Sequence, residues 1–167
     1  MEDAPTAARS SSSCSLVTIA PMGGARRRLR AERDFALWHE RGRCCLETFS
    51  YLLGRGRLRQ AVFDLFQAAE AFYGALLLVF VGEKPWTHDL RVLRRTAGQC
   101  DPLFTHVFPE ATAEDERLFA LLNEACMGAR YDADFSASAD DLRRLHPRVL
   151  LLEALTDRLC REKLAML

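Results

Sequence analysis

The chain has 167 residues, of which 49% are hydrophobic, and its 23 basic and 23 acidic residues give a formal net charge of zero. This length and composition predict one globular domain with a sizeable core. The zero net charge excludes a strong overall attraction to nucleic acid or to an anionic membrane, although it is compatible with a local basic face.

The cysteines and the apolar stretches exclude two further classes. The six cysteines form no CxxC pair and have no histidine at zinc spacing, which predicts buried free thiols in a reducing cytoplasm and no metal. Residues 71–82 form the longest uncharged stretch within residues 28–167, shorter than the roughly 20 residues that span a bilayer. We therefore expect a soluble, cytoplasmic protein without a cofactor.

The N-terminal residues differ in composition from the rest of the chain. Residues 1–27 are rich in serine and contain proline and glycine without a sustained period, which predicts a flexible tail before a helical domain at residues 28–167. Residues 26–28 and Arg30 form a basic cluster at the end of this tail. It is either a solvated helix start or a nucleic-acid contact.

Two long apolar patterns at helical spacing come first in the domain. The first runs from about residue 29 until Gly54 and Gly56 break it, and the second covers about residues 58–81. We expect these two helices to pack antiparallel. The second is apolar on all sides in its C-terminal half, which predicts burial both in the domain and in a subunit interface.

The remaining elements are also helical. A short helix is predicted at residues 87–98 with Thr87 as its cap, followed by a loop or single turn at residues 101–108. Capping-box patterns at Thr112 and Ser138 open two more long helices. No β-pattern is present, so the predicted fold class is an all-α, up-and-down bundle of four main helices plus one short helix.

Two segments carry a resemblance to a known family. They are QAAEAFYGALLLVFVGEKPWTHDL at residues 67–90 and ARYDADFSAS at residues 129–138. In this order and spacing they resemble the HEPN domain, over roughly residues 38–164. The segments VFPEATAED at 107–115 and LCREK at 159–163 are similar to HEPN domains that follow a nucleotidyltransferase domain in bacterial two-domain proteins.

The resemblance also defines what a catalytic HEPN protein needs. Many family members are ribonucleases with an arginine followed, after four to six residues, by a histidine, which supply a cation and an acid or base at the scissile phosphate. Here Arg130 is the arginine, but residues 135–137 contain no histidine, so no catalytic residue is predicted. Arg33 and His39 match the spacing formally, but His39 lies on an apolar stripe typical of a core position. Phe66 also replaces a histidine common in the family.

Arg130 and Tyr131 are the first candidates for binding a nucleotide or RNA, and Glu70 is predicted as a ligand-binding residue with them. An arginine offers a forked donor for phosphate, and a tyrosine offers a face for stacking. The alternative is structural: Arg130 pairs with an acid such as Glu70, and Tyr131 packs against the end of its helix.

A second candidate group lies in the turn after the apolar helix. Lys84, Thr87, His88 and Asp89 surround a predicted helix N-terminus, where backbone N–H groups favour an anion such as phosphate. The alternative is a capped turn whose charges satisfy each other. The DAD sequence at residues 132–134 lacks the strand context of a nucleotidyltransferase site, and we interpret it as an interhelical loop without a metal.

The apolar helix also predicts an interface. Leu77, Leu78 and Val81 lie off its main stripe, and their exposure in a monomer would leave an apolar patch in water. A twofold interface would bury this patch. Homodimerisation is also what the resemblance implies, because HEPN domains usually pair.

These observations lead to three hypotheses on function. The first is a non-catalytic, dimeric module that binds nucleotide or RNA and acts with a separate nucleotidyltransferase protein. The second is a degenerate, toxin-like ribonuclease that uses other residues. The third is a purely structural dimerisation domain.

Overall fold

The computed structural model describes residues 23–167, which contain six α-helices and no β-strand. The helices are α1 (Gly24–Gly54), α2 (Leu58–Phe80), α3 (Leu90–Cys100), α4 (Leu103–Val107), α5 (Ala113–Tyr131) and α6 (Ala139–Ala165). The predicted all-α bundle is therefore confirmed. The helix α1 begins earlier than predicted, since residues 24–27 are already helical. Most of the predicted tail, residues 1–22, lies outside the described residues.

The helix α2 forms the centre of the bundle. It packs against α1, α3, α5 and α6. The tight turn between α1 and α2 contains Gly56, whose φ of 69° lies in the left-handed region that favours glycine. The long helices α1, α2, α5 and α6 thus form the four-helix body that the apolar repeats predict.

Glycines let α1 and α2 approach closely. A Cβ atom on Gly42 of α1 would lie 2.5 Å from the Phe72 ring of α2. In the reverse direction, a Cβ atom on Gly74 of α2 would lie 2.6 Å from the Trp38 ring of α1. Each helix therefore accepts an aromatic ring of the other where it lacks a side chain, which fixes the relative position of the two helices.

The N-terminal caps of α5 and α6 are the predicted ones, but the cap of α3 is a different residue. Ser138 caps α6 in a capping box with Asp141, and Thr112 caps α5 by accepting from the backbone N–H of Asp115, as predicted. The cap of α3 is Asp89 and not Thr87, because α3 begins only at Leu90. Thr87 instead lies in the preceding loop.

The exposure of α2 corrects part of the predicted interface. By length and composition α2 alone, among the described residues, resembles a membrane span, but most of it is buried as in the core helix of a soluble protein. Leu77, predicted to lie in a dimer interface, is fully buried within the chain and is unavailable to a partner. Leu78 is half-buried, and Val81 remains 50% exposed at the end of the helix.

The described cysteines are all free thiols, but they are not all buried as predicted. Cys126 and Cys160 are buried, and burial raises the pKa of the Cys160 thiol to about 12. Cys44 is exposed on α1, since it lies on the side of that helix opposite to the core. Cys14 lies outside the described residues.

Candidate functional site

A cleft of about 550 Å³ opens where α1 meets the loop between α2 and α3. We call it the Glu70 cleft. Charged, aromatic and loop residues line it together: Arg30, Asp34, Trp38, Arg41, Glu70, Leu78, Gly82, Glu83, Lys84, Pro85, Trp86, Thr87 and His88. Glu70, Lys84, Thr87 and His88, all predicted as ligand-binding residues, thus meet in one place.

The buried carboxylate of Glu70 organises the cleft. Its side chain is only 5% exposed, and its Oε1 atom accepts a hydrogen bond from Nζ of Lys84 at 3.0 Å. The same Oε1 atom lies 2.9 Å from Nδ1 of His88, whose ring is 72% exposed. Because a carboxylate oxygen accepts hydrogen bonds, Nδ1 of His88 is the donor in this contact.

The loop between α2 and α3 is held in place at both ends. Gly82 follows the C-terminus of α2 with a φ of 90°, and its N–H donates to the carbonyl of Leu77 at 3.1 Å. At the other end, Asn123 of α5 accepts from the backbone N–H of Leu90 at 2.7 Å. The loop therefore has a defined course between two anchored helices.

Hydrogen bonds inside the loop fix the position of the Lys84 side chain and engage the Asp89 carboxylate. Nζ of Lys84 donates to the carbonyl of Thr87 at 3.0 Å, and Oγ1 of Thr87 accepts from the backbone N–H of Asp89 at 3.0 Å. The Asp89 carboxylate accepts from the backbone N–H of Arg91 as the α3 cap. Asp89 is thus part of the turn, and it does not line the cleft.

Both tryptophans of the chain lie at this cleft. The Trp38 ring is half-buried, with the guanidinium of Arg41 5.3 Å and Nζ of Lys84 5.6 Å from its centroid. Trp86, in contrast, is fully exposed at the tip of the loop. A large aromatic ring held in water beside a buried charged group offers a stacking surface to a ligand.

Arg130 and Tyr131 lie at a different place, at the end of α5. The Arg130 guanidinium stacks over the rings of Phe63 and Tyr131, at 5.2 and 5.1 Å, and its Nε donates to the carbonyl of Cys126 at 2.7 Å. The alternative pairing with Glu70 is wrong, because no carboxylate of residues 23–167 lies within ion-pair distance of Arg130. Tyr131 is also exposed and does not pack into the helix end.

The two candidate groups share one face of α2. Phe63, under Arg130, and Glu70 are separated by two helical turns, about 10 Å along the axis. A ligand that contacts both groups would have to extend about 10 Å along α2.

The end of α5 depends on a residue that the sequence did not suggest. Arg59 of α2 donates to the carbonyls of Gly128 and Ala129, at 3.2 and 3.1 Å, and so adds side-chain donors to two of the last carbonyls of α5. In the following loop, the Asp132 side chain accepts from the backbone N–H of Asp134. The residues 132–134 form an interhelical turn, as interpreted, and residues 23–167 hold no cluster of three metal-ligating side chains.

A second cleft, of about 760 Å³, lies on the other side of α1, against α6. We call it the His39 cleft. His39 packs between the rings of Phe35 and Phe72, and burial lowers the pKa of its imidazole. Its Nε2 lies 3.8 Å from Asp157 and makes no hydrogen bond with the described residues. His39 is thus a largely buried histidine, which agrees with its apolar stripe.

Several residues of the Glu70 cleft escaped the sequence analysis. Asp34, Trp38 and Arg41 come from α1, as does Arg30, which was predicted only as part of the basic cluster at the end of the tail. Their spacing at three and four residues puts them on one face of the helix. Only the tertiary contact between α1 and the distant loop shows that this face lines a cleft.

The comparisons with known proteins agree with this architecture. The family model described as HEPN domain matches residues 35–151, which is most of the chain and includes both tryptophans, Glu70 and Arg130. No curated protein matches the chain significantly. The match covers α2, α3, α4 and α5 completely, together with most of α1 and the first half of α6. The chain therefore belongs to the HEPN domain family.

Proposed function

We propose that this protein is a non-catalytic HEPN module that binds nucleotide or single-stranded RNA in the Glu70 cleft. The observation that carries the proposal is the juxtaposition of a buried Glu70–Lys84–His88 cluster with the exposed ring of Trp86. Membership of the HEPN family supports a role connected with nucleotides or RNA.

The contacts favour a flat, polar ligand over an apolar one. Base stacking on an aromatic side chain contributes about 1–3 kcal/mol per base. A nucleotide also carries edge groups that can hydrogen-bond to a buried polar cluster. An apolar ligand would displace solvent from the Glu70 cluster without offering hydrogen bonds in its place. The separate nucleotidyltransferase partner and the bacterial cytoplasm remain part of this proposal through the sequence resemblance alone.

Tryptophan fluorescence gives a direct test, since both tryptophans lie at the cleft. We expect single-stranded RNA or nucleotides to quench the emission and to raise the melting temperature. Trp86→Ala should weaken binding roughly 5- to 150-fold, the equivalent of one lost stacking contact. Tyr51→Ala removes another exposed aromatic ring, outside the cleft, and should bind as the parent does. Equal binding by Trp86→Ala and Tyr51→Ala would contradict the proposed site.

Arg130 tests how far the ligand extends. If RNA also follows the face of α2, Arg130→Ala should reduce RNA binding roughly tenfold or more, because a charge-assisted phosphate contact is lost. Arg91→Ala is the control, as it removes an exposed arginine of α3. A mononucleotide is too short to span both groups and should bind Arg130→Ala normally. Unchanged RNA binding by Arg130→Ala would confine the ligand to the Glu70 cleft.

One observation favours the degenerate ribonuclease as second candidate. The carboxylate of Glu70 orients the exposed His88 ring through Nδ1, which leaves Nε2 available as an acid or base. We nevertheless favour a binding function, because the HEPN arginine–histidine signature is absent. We expect no RNA cleavage by the purified protein. Cleavage that is lost in His88→Gln but kept in His106→Gln would establish the ribonuclease instead.

The dimer is a separate part of the proposal. With Leu77 buried, the apolar surface at the end of α2 includes Leu78, Phe80 and Val81. We propose that a second copy covers Val81 and its surroundings. Light scattering should then give twice the chain mass of 18.9 kDa, and Val81→Glu should reduce it. If the parent protein is a monomer, the dimer proposal is wrong and the binding proposal is unaffected.

A further inference from the structure

We infer that the Glu70 cleft recognises the edge of a nucleobase through an exocyclic amino group, and that the base supplies more of the affinity than the phosphate does. The inference rests on the proposed function and narrows its ligand. It follows from the donor and acceptor atoms of Glu70 and Lys84 that have no partner among the described residues, and from the balance of positive and negative side chains in the cleft.

The first step is the free oxygen of Glu70. Both polar contacts of this carboxylate fall on Oε1, and no described residue donates to Oε2. Fully enclosed side-chain atoms without a partner are limited, among residues 23–167, to His39 Nε2, Tyr73 OH and Thr156 Oγ1. Oε2 is not among these enclosed atoms, and Glu70 lines the cleft. A carboxylate oxygen accepts hydrogen bonds, so the ligand must bring a donor to it.

The second step is the donor beside that oxygen. An ammonium group has three N–H donors, and Lys84 uses two of them on Glu70 Oε1 and the Thr87 carbonyl. The cluster thus presents an acceptor next to a donor. An amino-bearing base has the complementary pattern on its edge, an amino donor beside a ring nitrogen or carbonyl acceptor. The same base can stack its face on Trp86.

The third step is the charge of the cleft. Among the described residues, three arginine or lysine side chains and three acidic ones line it. They are Arg30, Arg41 and Lys84 against Asp34, Glu70 and Glu83. This balance does not favour a polyphosphate, which is bound elsewhere by an excess of positive charge. Each added phosphate should therefore contribute little.

A matched pair of ligands tests the edge contact with the unmodified protein. N6,N6-dimethyladenosine lacks the amino hydrogens of adenosine but keeps its ring system and acceptors. We expect adenosine to quench the tryptophan emission with an affinity roughly ten- to a hundredfold higher, the effect of one hydrogen bond to a charged group. Glu70→Gln, checked for folding by circular dichroism, should reduce the difference between the two ligands.

The phosphate series and RNA complete the experiment. Adenosine, AMP and ATP should bind within a few-fold of each other, and a tenfold or larger gain for ATP would overturn the inference. An oligoadenylate that binds more tightly than adenosine would identify RNA as the source of the base, and equal binding would identify the free nucleoside or nucleotide. Equal binding of adenosine and its dimethyl derivative would overturn the inference but leave the proposed function. No binding of any nucleoside, nucleotide or RNA would overturn both.

Discussion

The Glu70 cleft and the His39 cleft lie on the two sides of α1, and the consecutive residues Trp38 and His39 contribute to one each. Both clefts contain arginines and carboxylates, but at different depths. Glu70 is almost completely buried, whereas Arg43 and Arg161 of the His39 cleft are half or more exposed and pair with acids at the surface. Water screens exposed charges and hydrogen-bonds to them, so a ligand does not have to supply partners for them.

This difference shows why the larger cleft is the weaker candidate for function. The His39 cleft has the greater volume, but its charged groups form ion pairs that any solvated surface supports. In the Glu70 cleft, burial has already removed water from the carboxylate, and Lys84 and His88 replace only part of that hydration. The depth of a charged group, more than the size of the cavity around it, indicates where a ligand is recognised.

The largest expected effect compares one carboxylate from each cleft. Glu70→Ala leaves the largely buried ammonium of Lys84 without its partner and should lower the free energy of unfolding by about 3 kcal/mol. Glu153→Ala breaks the surface pair with Arg43, 3.8 Å long, and should cost less than about 1 kcal/mol. Urea denaturation followed by circular dichroism measures both. Equal losses in the free energy of unfolding would show that the burial of the carboxylate does not distinguish the two clefts.

A second prediction concerns the wall of the Glu70 cleft. Gly74→Val places a Cβ atom 2.6 Å from the Trp38 ring, so either α1 or the ring must move. We expect a loss of about 1–3 kcal/mol in the free energy of unfolding, typical of overpacking, and a shift in tryptophan emission. Gly54→Val is the control, since no atom lies within 4 Å of its Cβ position. An unchanged emission spectrum would mean that Trp38 is not held by Gly74.

The sequence predicts the fold well because the signals for helices are local. Apolar periodicity located every long helix, and the capping patterns at Thr112 and Ser138 located two helix starts. The start of α3 was missed because Thr87 and Asp89 are both good caps, and the choice between them depends on Asn123, which binds Leu90 from a distant helix. The burial of Leu77 was missed because an apolar helix does not reveal how many neighbours surround it.

The candidate site was predictable in part. The residue pattern grouped Lys84, Thr87 and His88 in one turn, whereas Glu70 was predicted beside Arg130 and apart from that turn. The structure pairs Glu70 with the turn instead, because α2 ends at Phe80 and the loop folds back along the helix. The α1 wall, including Trp38 and Arg41, follows from packing between elements far apart in sequence. Local patterns carry no information on such contacts.

A third prediction uses pH to test the burial of two histidines, His39 and His146. Burial lowers the pKa of His39 and of His146 below 6.5, so the unfolded chain binds these protons more readily than the folded protein does. Stability from these two groups is therefore fully present above pH 6.5 and declines as the pH falls below that value. Urea denaturation at pH 7.5 and 5.5 should show this loss.

Variants identify the source of that pH dependence. The double variant His39→Gln, His146→Gln should lose less stability between the two pH values than the parent does, whatever its stability at pH 7.5. His106→Gln, which changes an exposed histidine of α4, is the control and should keep the parent's pH dependence. A double variant with the same pH dependence as the parent would assign the effect to other groups.

The smallest effect concerns the charges that surround His39. Asp157 raises the pKa of His39 and Arg43 lowers it, and burial, which lowers this pKa, has a larger effect than either charge. Asp157→Asn should therefore move the His39 titration, followed by NMR, to lower pH, and Arg43→Gln should move it to higher pH. Because both side chains lie near the surface, neither change should alter the free energy of unfolding at pH 7.5 by more than about 1 kcal/mol. Opposite shifts of the titration at nearly constant stability would show that these charges act on His39 through the solvent-facing side of the cleft. Shifts in the same direction would contradict this geometry, and would place the His39 ring away from Asp157.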